Sequence, residues 1–260
     1  MSETKAEVAA AASDHRMRVD SLTDRAREVL IVVANPTISS NNGWPVGFWG
    51  AELTHPYHEL TEAGFRVTVA SPTGGSVEMD ALSDPRDASR WSADDLITMG
   101  FVHTPELAAL LRDTPSLDSL DLSRFEAVLI AGGQSPMFTF RDNASLHRAV
   151  RTFWEAEKVV AAYCHGVAAL VDCELGDGTP LVAGRTVTGF SNVEEEYGDR
   201  AAGVQIMPWR VEDALRGRGA NFVSAGLFKA FAVRDGRLIT GQQQYSSRKV
   251  AQAVIAAIGA

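Results

Sequence analysis

The stretch Val159-Val160-Ala161-Ala162-Tyr163-Cys164-His165-Gly166-Val167-Ala168-Ala169-Leu170 decides the fold. It opens on uncharged apolar residues over a strand's length, the pattern of a strand buried on both faces. That run leads straight into Cys164 and His165, and a helical pattern is expected over His165 to Val171. Ala162 and Gly166 flank the cysteine two positions away on either side. A strand-to-helix elbow needs small residues there, because its apex sits at strained φ/ψ and bulk beside it would clash. A helix N-terminus after the cysteine would present N–H groups and a positive dipole end, which lower a thiol pKa. Free cysteine is ordinarily a small buried hydrophobe. The elbow spacing and the adjacent histidine argue instead for a reactive Cys164. Cys173, in Leu170-Val171-Asp172-Cys173-Glu174-Leu175, has no such setting and reads as packing.

Working outward, similar runs occupy Val29 to Ala34, Arg66 to Ala70 and Ala127 to Ala131, with helical patterns at Ala51 to Ala63 and Leu146 to Ala156. Alternating strand and helix predicts an α/β fold: a flavodoxin-like, mostly parallel sheet sandwiched by helices. Val233-Arg234-Asp235-Gly236-Arg237-Leu238-Ile239-Thr240 predicts a hairpin turning at Asp-Gly. Ser246 to Ile258 predicts an amphipathic helix, with Val250, Val254, Ile255 and Ile258 on one face. Residues 73–124, rich in Asp, Ser and Pro, interrupt the alternation and read as an inserted cap with a helical piece at Pro105 to Arg112. Residues 1–26 read as a flexible tail, and 27–260 as one domain.

The chain has 260 residues, with 33 acidic against 24 basic side chains and a formal charge of −9. That balance excludes a sequence-independent nucleic-acid binder, which needs a basic face. No stretch is apolar enough to span a membrane, and the N-terminus lacks a secretory apolar region. Two cysteines make no disulfide framework. A cytoplasmic protein with reduced thiols is expected, with neither nucleic acid nor membrane as partner.

Three further segments hold candidate site residues. Ala131-Gly132-Gly133-Gln134-Ser135 follows a buried run, where paired glycines let backbone N–H groups approach a ligand. The carboxyl edge of an open α/β sheet is where sites form, although the same glycines would also serve a plain turn. Neither a dinucleotide fingerprint nor a P-loop is present. Glu52, in Gly47-Phe48-Trp49-Gly50-Ala51-Glu52-Leu53-Thr54-His55-Pro56, stands alone among apolar and small residues. A partly desolvated carboxylate there would have a raised pKa suited to acid–base work; a solvated helix-start glutamate is the plainer alternative. Gly189-Phe190-Ser191-Asn192-Val193-Glu194-Glu195-Glu196-Tyr197 reads as a capped helix start, with Ser191 or Asn192 as N-cap, and one of its acids could orient His165. The histidines show no metal-ligand spacing, and His55 near Glu52 is no exception. Neither metal nor cofactor is expected.

Together these motifs resemble the DJ-1/PfpI (ThiJ/PfpI) superfamily of the class I glutamine amidotransferase-like fold, from about Glu28 to Ala260. The carriers are Ala162-Tyr163-Cys164-His165-Gly166, Glu52-Leu53-Thr54-His55-Pro56, Ala70-Ser71-Pro72-Thr73-Gly74-Gly75, Ala131-Gly132-Gly133, Thr188-Gly189-Phe190-Ser191 and Asp235-Gly236-Arg237-Leu238-Ile239-Thr240-Gly241-Gln242. The 73–124 insertion and Pro208-Trp209 look most like the heat-shock chaperone and glyoxalase III branch. That resemblance implies a cofactor-independent enzyme converting methylglyoxal to lactate, with catalytic Cys164, His165 and Glu52. It places the acid supporting His165 at Glu195, with Glu194 the fallback. It also implies Gly132, Gly133, Gln134 and Ser135 as an oxyanion and substrate loop, a small-molecule substrate and a homodimer. Two loops depart from that branch: Gly132-Gly133-Gln134-Ser135 replaces Gly-Gly-His-Gly, and Gln243-Gln244-Tyr245 replaces an Asn-Pro-like pair. Alternatives are therefore a hydratase or hydrolase of another small electrophile, such as an isonitrile, amide or thioester, and a holdase chaperone or redox-sensing stress protein. The downstream His-x-Glu pair of glutamine amidotransferases is missing, which argues against a glutaminase.

Overall fold

Six strands form the central sheet: β1 (Glu28–Val32), β2 (Arg66–Ala70), β3 (Phe125–Ile130), β4 (Val159–Tyr163), β5 (Ala232–Asp235) and β6 (Leu238–Gly241). Their spatial order is β2-β1-β3-β4-β6-β5. Every neighbouring pair is parallel except β6 with β5, which is antiparallel. The computed structural model describes residues 27–259, so the expected tail at 1–26 lies outside the described residues.

The continuous apolar runs are explained by burial on both faces. Leu30, Val32, Val128, Ile130, Val160 and Ala162 point into one cluster with Val150, Phe153 and Leu170. Val29, Ile31, Ala127, Leu129, Ala161 and Tyr163 point into a second with Leu53, Leu60, Val250 and Val254. Alternate residues of one strand thus serve opposite cores, and the charges of β1, β2 and β3, Glu28, Arg66 and Glu126, are confined to the first or second strand position.

The helices that cover the sheet are α1 (Gly50–Glu62), α2 (Leu96–His103), α3 (Pro105–Ala109), α4 (Pro136–Thr139), α5 (Ala144–Glu155), α6 (Ala168–Val171), α7 (Asn192–Ala202), α8 (Val211–Gly217) and α9 (Ser247–Ile258). Among the described residues none is long and apolar enough to cross a membrane. The segment 73–124 adds no strand to the sheet; it carries α2 and α3. It is tied back by isolated bridges from Met79 to Phe48 and Ser116 to Ser71, and its own ends are joined by a bridge from Gly75 to Thr114.

Two local expectations shift. The run after the elbow is a 3-10 turn over Cys164–Val167, followed only by the four-residue α6, not one helix from His165. The hairpin turns one residue late: Asp235 pairs with Leu238, leaving Gly236 and Arg237 as the loop. Asp235 stays in the strand, where its carboxylate accepts the Thr186 N–H at 2.7 Å.

Strand order reverses between β1 and β3: the chain leaves β1 for β2 on one side and builds β3 to β6 on the other. Open α/β sheets form their clefts at the carboxyl ends of strands flanking such a switch. Glu52 reaches that edge from the start of α1 after β1, Gly132 and Gly133 after β3, and Cys164 and His165 after β4.

Candidate active site

Cys164 sits at the elbow with φ of +55°, a left-handed conformation uncommon for a residue with a side chain. The turn is held open by tight packing around Gly166, where an added Cβ would lie 2.4 Å from the Ile130 carbonyl oxygen. The small residue that the spacing required is therefore required by the neighbouring strand β3.

Glu52 is fully buried. Its Oε2 accepts the Gly132 N–H at 2.6 Å, and the Tyr163 hydroxyl donates to its carbonyl at 2.7 Å. Oε1 is buried without a hydrogen-bond partner. A Cβ placed on Gly132 would lie 2.8 Å from each of Glu52 Oε2, Cys164 Cβ and the His165 nitrogen. The acid, the Cys164 Cβ and the elbow amide thus converge on one bare glycine. Burial pushes the Glu52 carboxyl up to about 8, against the pull of the Cys164 thiol, the Gly132 N–H and His165. A neutral acid at physiological pH follows.

Cys164 is 3% exposed. Burial raises its pKa, as does the Glu52 carboxylate, while the His165 and Gly133 N–H groups lower it. The expected downward shift from a helix N-terminus is overruled, because a four-residue helix has little dipole and the thiol is buried. Protonating Glu52 removes its carboxylate charge from beside the thiol and leaves the two N–H groups to stabilise a thiolate.

His165 bridges the cluster. Its Nδ1 lies 3.1 Å from the Gly133 carbonyl and 3.9 Å from Cys164 Sγ. Its Nε2 lies 3.0 Å from Glu195 Oε1. A carbonyl can only accept and an ionised carboxylate can only accept, so both ring nitrogens carry protons when Glu195 is charged. Burial works against the cationic ring, but Glu195 outweighs it and the pKa rises. Arg210 approaches Glu195 Oε2 at 3.5 Å and also pairs with Asp199. The Phe190 ring lies against the imidazole, centroids 4.4 Å apart.

The two candidate acids therefore separate. Glu195 contacts His165. Glu194 turns away and accepts from Ser191 N–H and hydroxyl through Oε2, and from Phe228 N–H and Gln242 Nε2 through Oε1. Ser191 is the N-cap of α7, and Glu194 its capping-box partner.

In the glycine loop, Ser135 is turned from the cluster: its hydroxyl donates to the Asn35 carbonyl at 2.6 Å and its N–H to the Gly47 carbonyl. Gln134 donates its N–H to Asp80, while its Oε1 is buried and unpartnered. Gln243 Nε2 is also buried and unpartnered. His55 pairs with Asp95 at 2.9 Å and is a structural tie between α1 and α2. Among the described residues no group of three or more His, Cys, Asp or Glu could hold a metal. Asp80, Arg210 and Phe190 were not singled out from sequence. Arg210 follows the quoted Pro208-Trp209 and Phe190 lies within a quoted motif, whereas nothing near Asp80 marked it.

The chain is similar to known proteins over most of its length. A glutathione-independent glyoxalase of Schizosaccharomyces pombe is 28% identical over 233 residues, covering 82% of this chain and 88% of that protein. Glyoxalase 3 of Candida albicans is 26% identical over 227 residues, covering 84% and 92%. Among solved structures, the Rapid Encystment Protein 24 kDa of Francisella tularensis superposes with a TM-score of 0.81 at 27% identity, over 90% of this chain and all of that one. The DJ-1/PfpI family model matches residues 46–257, a span that runs from just before Glu52 to the last turn of α9. The chain belongs to the DJ-1/PfpI family.

Proposed function

We propose that the protein is a cofactor-independent glyoxalase that converts methylglyoxal or a similar small 2-oxoaldehyde to the 2-hydroxy acid, with Cys164 as nucleophile. The observation that carries this reading is the convergence of Glu52, Cys164 and the His165 amide on Gly132. The glyoxalases among its relatives support it.

In the reactive form the Glu52–Cys164 pair holds one proton, on the carboxyl. The thiolate adds to the aldehyde carbon, and the aldehyde oxygen, held by the His165 and Gly133 N–H groups, takes the proton from Glu52. One such donor is worth roughly 3 kcal/mol in a transition state. The Glu52 carboxylate then removes the hydrogen of that carbon to give an enediolate and returns it to the neighbouring carbon, while the hydroxyl proton passes from the first oxygen to the second. The product is a 2-hydroxyacyl thioester on Cys164. Water hydrolyses it to the acid and frees the thiol, so the net reaction consumes one water. His165, cationic between Gly133 and Glu195, balances the negative charge that builds on sulfur and oxygen. We assign this site to the single α/β body of the chain, with the 73–124 segment forming one wall. The cytoplasmic setting and the homodimer belong to the same reading.

The test is lactate formation from methylglyoxal by the purified full-length chain, with Cys164→Ala as control. Lactate at the control level would reject methylglyoxal, and inactivity across a panel of 2-oxoaldehydes would reject the class.

A further inference from the structure

We propose that Asp80 is a positioning residue for His165, acting through the peptide group between Gly133 and Gln134. Its relevance to turnover rests on the glyoxalase reading; its action on the imidazole does not.

Asp80 is buried, 2% exposed, and lies outside the cluster described above. Both carboxylate oxygens receive backbone donors: Gly47 N–H to Oδ1 at 2.8 Å and Gln134 N–H to Oδ2 at 2.7 Å. The Gln134 N–H belongs to the same peptide unit as the Gly133 carbonyl, which receives His165 Nδ1–H at 3.1 Å. One amide therefore joins the two side chains, carboxylate at its N–H and imidazole at its C=O. Three segments lock this arrangement. Phe48 N–H donates to the Glu78 carbonyl and Asp80 N–H to the Phe48 carbonyl, at 3.0 and 2.8 Å; Trp49 N–H donates to the Gly132 carbonyl and Ser135 N–H to the Gly47 carbonyl, at 3.1 and 2.9 Å.

Two physical effects follow. A negative acceptor on an amide N–H polarises that amide and strengthens its carbonyl as an acceptor. It also fixes which way the peptide points. A flip of this peptide turns ψ of Gly133 and φ of Gln134, and Gly133, already at φ of +108°, puts no Cβ in its way. A flipped peptide would aim its carbonyl at the Asp80 carboxylate, which repels it, and its N–H at His165 Nδ1. The imidazole would then have to accept there and lose its cationic form. Asp80 thus holds Nδ1 protonated from one side while Glu195 holds Nε2 protonated from the other. Burial pushes Asp80 up to about 6, against the pull of the Gly47 and Gln134 N–H groups and of His165. The ionisable groups that act on it electrostatically are His165 and Glu52.

The experiment uses the full chain labelled with 15N at histidine, with the His165 ring protons assigned against His165→Asn. In Asp80→Asn the Nδ1 proton signal should move upfield while the Nε2 signal, bonded to Glu195, stays in place. Alkylation of Cys164 by iodoacetamide at neutral pH should slow about threefold or more, and kcat on methylglyoxal should fall roughly tenfold with KM held within about twofold. A folded Asp80→Asn variant with unchanged Nδ1 signal and unchanged alkylation overturns the proposal, even if turnover is lost. Should that variant fail to fold, the wild-type chain decides: protonating Asp80, whose carboxyl is held above the usual carboxylate range by burial, should move the Nδ1 signal upfield as pH falls, and a signal unchanged over the whole acid range in which the protein stays folded overturns the proposal. A ring signal that responds in a protein without glyoxalase turnover would reject the substrate reading and leave the role of Asp80 standing.

Discussion

Cys164 and Cys173 are both sealed from solvent, at 3% and 0% exposure. Burial raises the pKa of both, Cys173 to about 11. Their difference lies in what surrounds the sulfur. Cys173 sits in an apolar cluster, its thiol donates to the His147 carbonyl at 3.8 Å, and the charge of Arg151 is opposed by those of Glu155 and Glu174. The carbonyl is an acceptor and can stabilise a thiol but never a thiolate. Cys164 has two backbone N–H groups, an acid able to hold a proton, and a histidine with its own counter-ion. Exposure does not separate a nucleophile from a packing residue here. The supply of donors for the anion does.

The largest test of that contrast deletes each sulfur in turn. Cys164→Ala should reduce turnover to the level of the uncatalysed reaction. Cys173→Ala should keep turnover within about twofold and lower stability by roughly 1 kcal/mol, the order expected for a small buried truncation. Lactate assays and denaturant melts on both variants read it out. Comparable loss of turnover from both would erase the distinction.

The next test removes the acid and leaves the sulfur. Glu52→Gln keeps an acceptor for the Gly132 N–H but cannot exchange a proton, so kcat should fall by about 10²- to 10⁴-fold. Stability should move the other way. The folded pKa of Glu52 is raised from 4.5 to about 8. The folded carboxyl therefore contributes stability that is fully present below the unfolded value and is lost as pH rises toward the folded value. Wild-type melting temperature should decline across that window, whereas Glu52→Gln, lacking this group, should decline less and be the more stable of the two at pH 8. Asp80, raised from 3.8 to about 6 in the same direction, leaves a smaller slope in both proteins below pH 6. Thermal melts from about pH 4 to 9 check the sign. A wild-type chain that gains stability on going from acid to pH 8 would contradict the protonated, buried acid.

Much of this arrangement is legible in the sequence because it depends on local spacing. The inner strands announce themselves as apolar runs because both faces are buried, with charge confined to their first two residues and to the edge strands β2 and β5. The elbow shows through Ala162 and Gly166, because β3 leaves no room beside it. Glu52 is legible only in part: its apolar and small neighbours Phe48, Trp49, Leu53 and Thr54 allow a buried acid, but a solvated helix-start glutamate is the plainer reading of those residues, and the family resemblance is what singles it out. What stayed hidden depends on contacts between distant segments. Asp80 acts on backbone N–H groups of residues 47 and 134, and backbone donors leave no trace in side-chain identity. Arg210 reaches Glu195 only because α7 and α8 pack together. The shortened helix after Cys164 was hidden for the opposite reason. Ala168, Ala169 and Leu170 are good helix formers, but the nucleophile's φ of +55° and the weak formers His165, Gly166 and Val167 start the chain in a 3-10 turn.

The finest test contrasts two adjacent acids that differ as the two cysteines do. Both are buried, Glu194 fully and Glu195 at 3% exposure. Glu195 faces a titrating ring, while Glu194 faces four fixed donors. Glu195→Gln removes the counter-ion of His165, so the imidazolium loses its main support, and turnover should drop about 10- to 100-fold, the range seen when a partner behind a functional histidine is lost. Cys164 alkylation should slow with it, because the thiolate loses a neighbouring cation. Glu194→Gln brings an amide NH2 against either the Ser191 or the Phe228 and Gln242 donors, since its second oxygen is gone. That mismatch should cost about 1–3 kcal/mol of stability and loosen the Ala225–Phe228 stretch, while alkylation of Cys164 stays within about threefold of wild type because no bond to His165 changes. Measuring alkylation and stability together separates the outcomes. If Glu194→Gln slowed alkylation as strongly as Glu195→Gln, the two acids would form one functional unit, and the assignment of His165 support to Glu195 alone would fall.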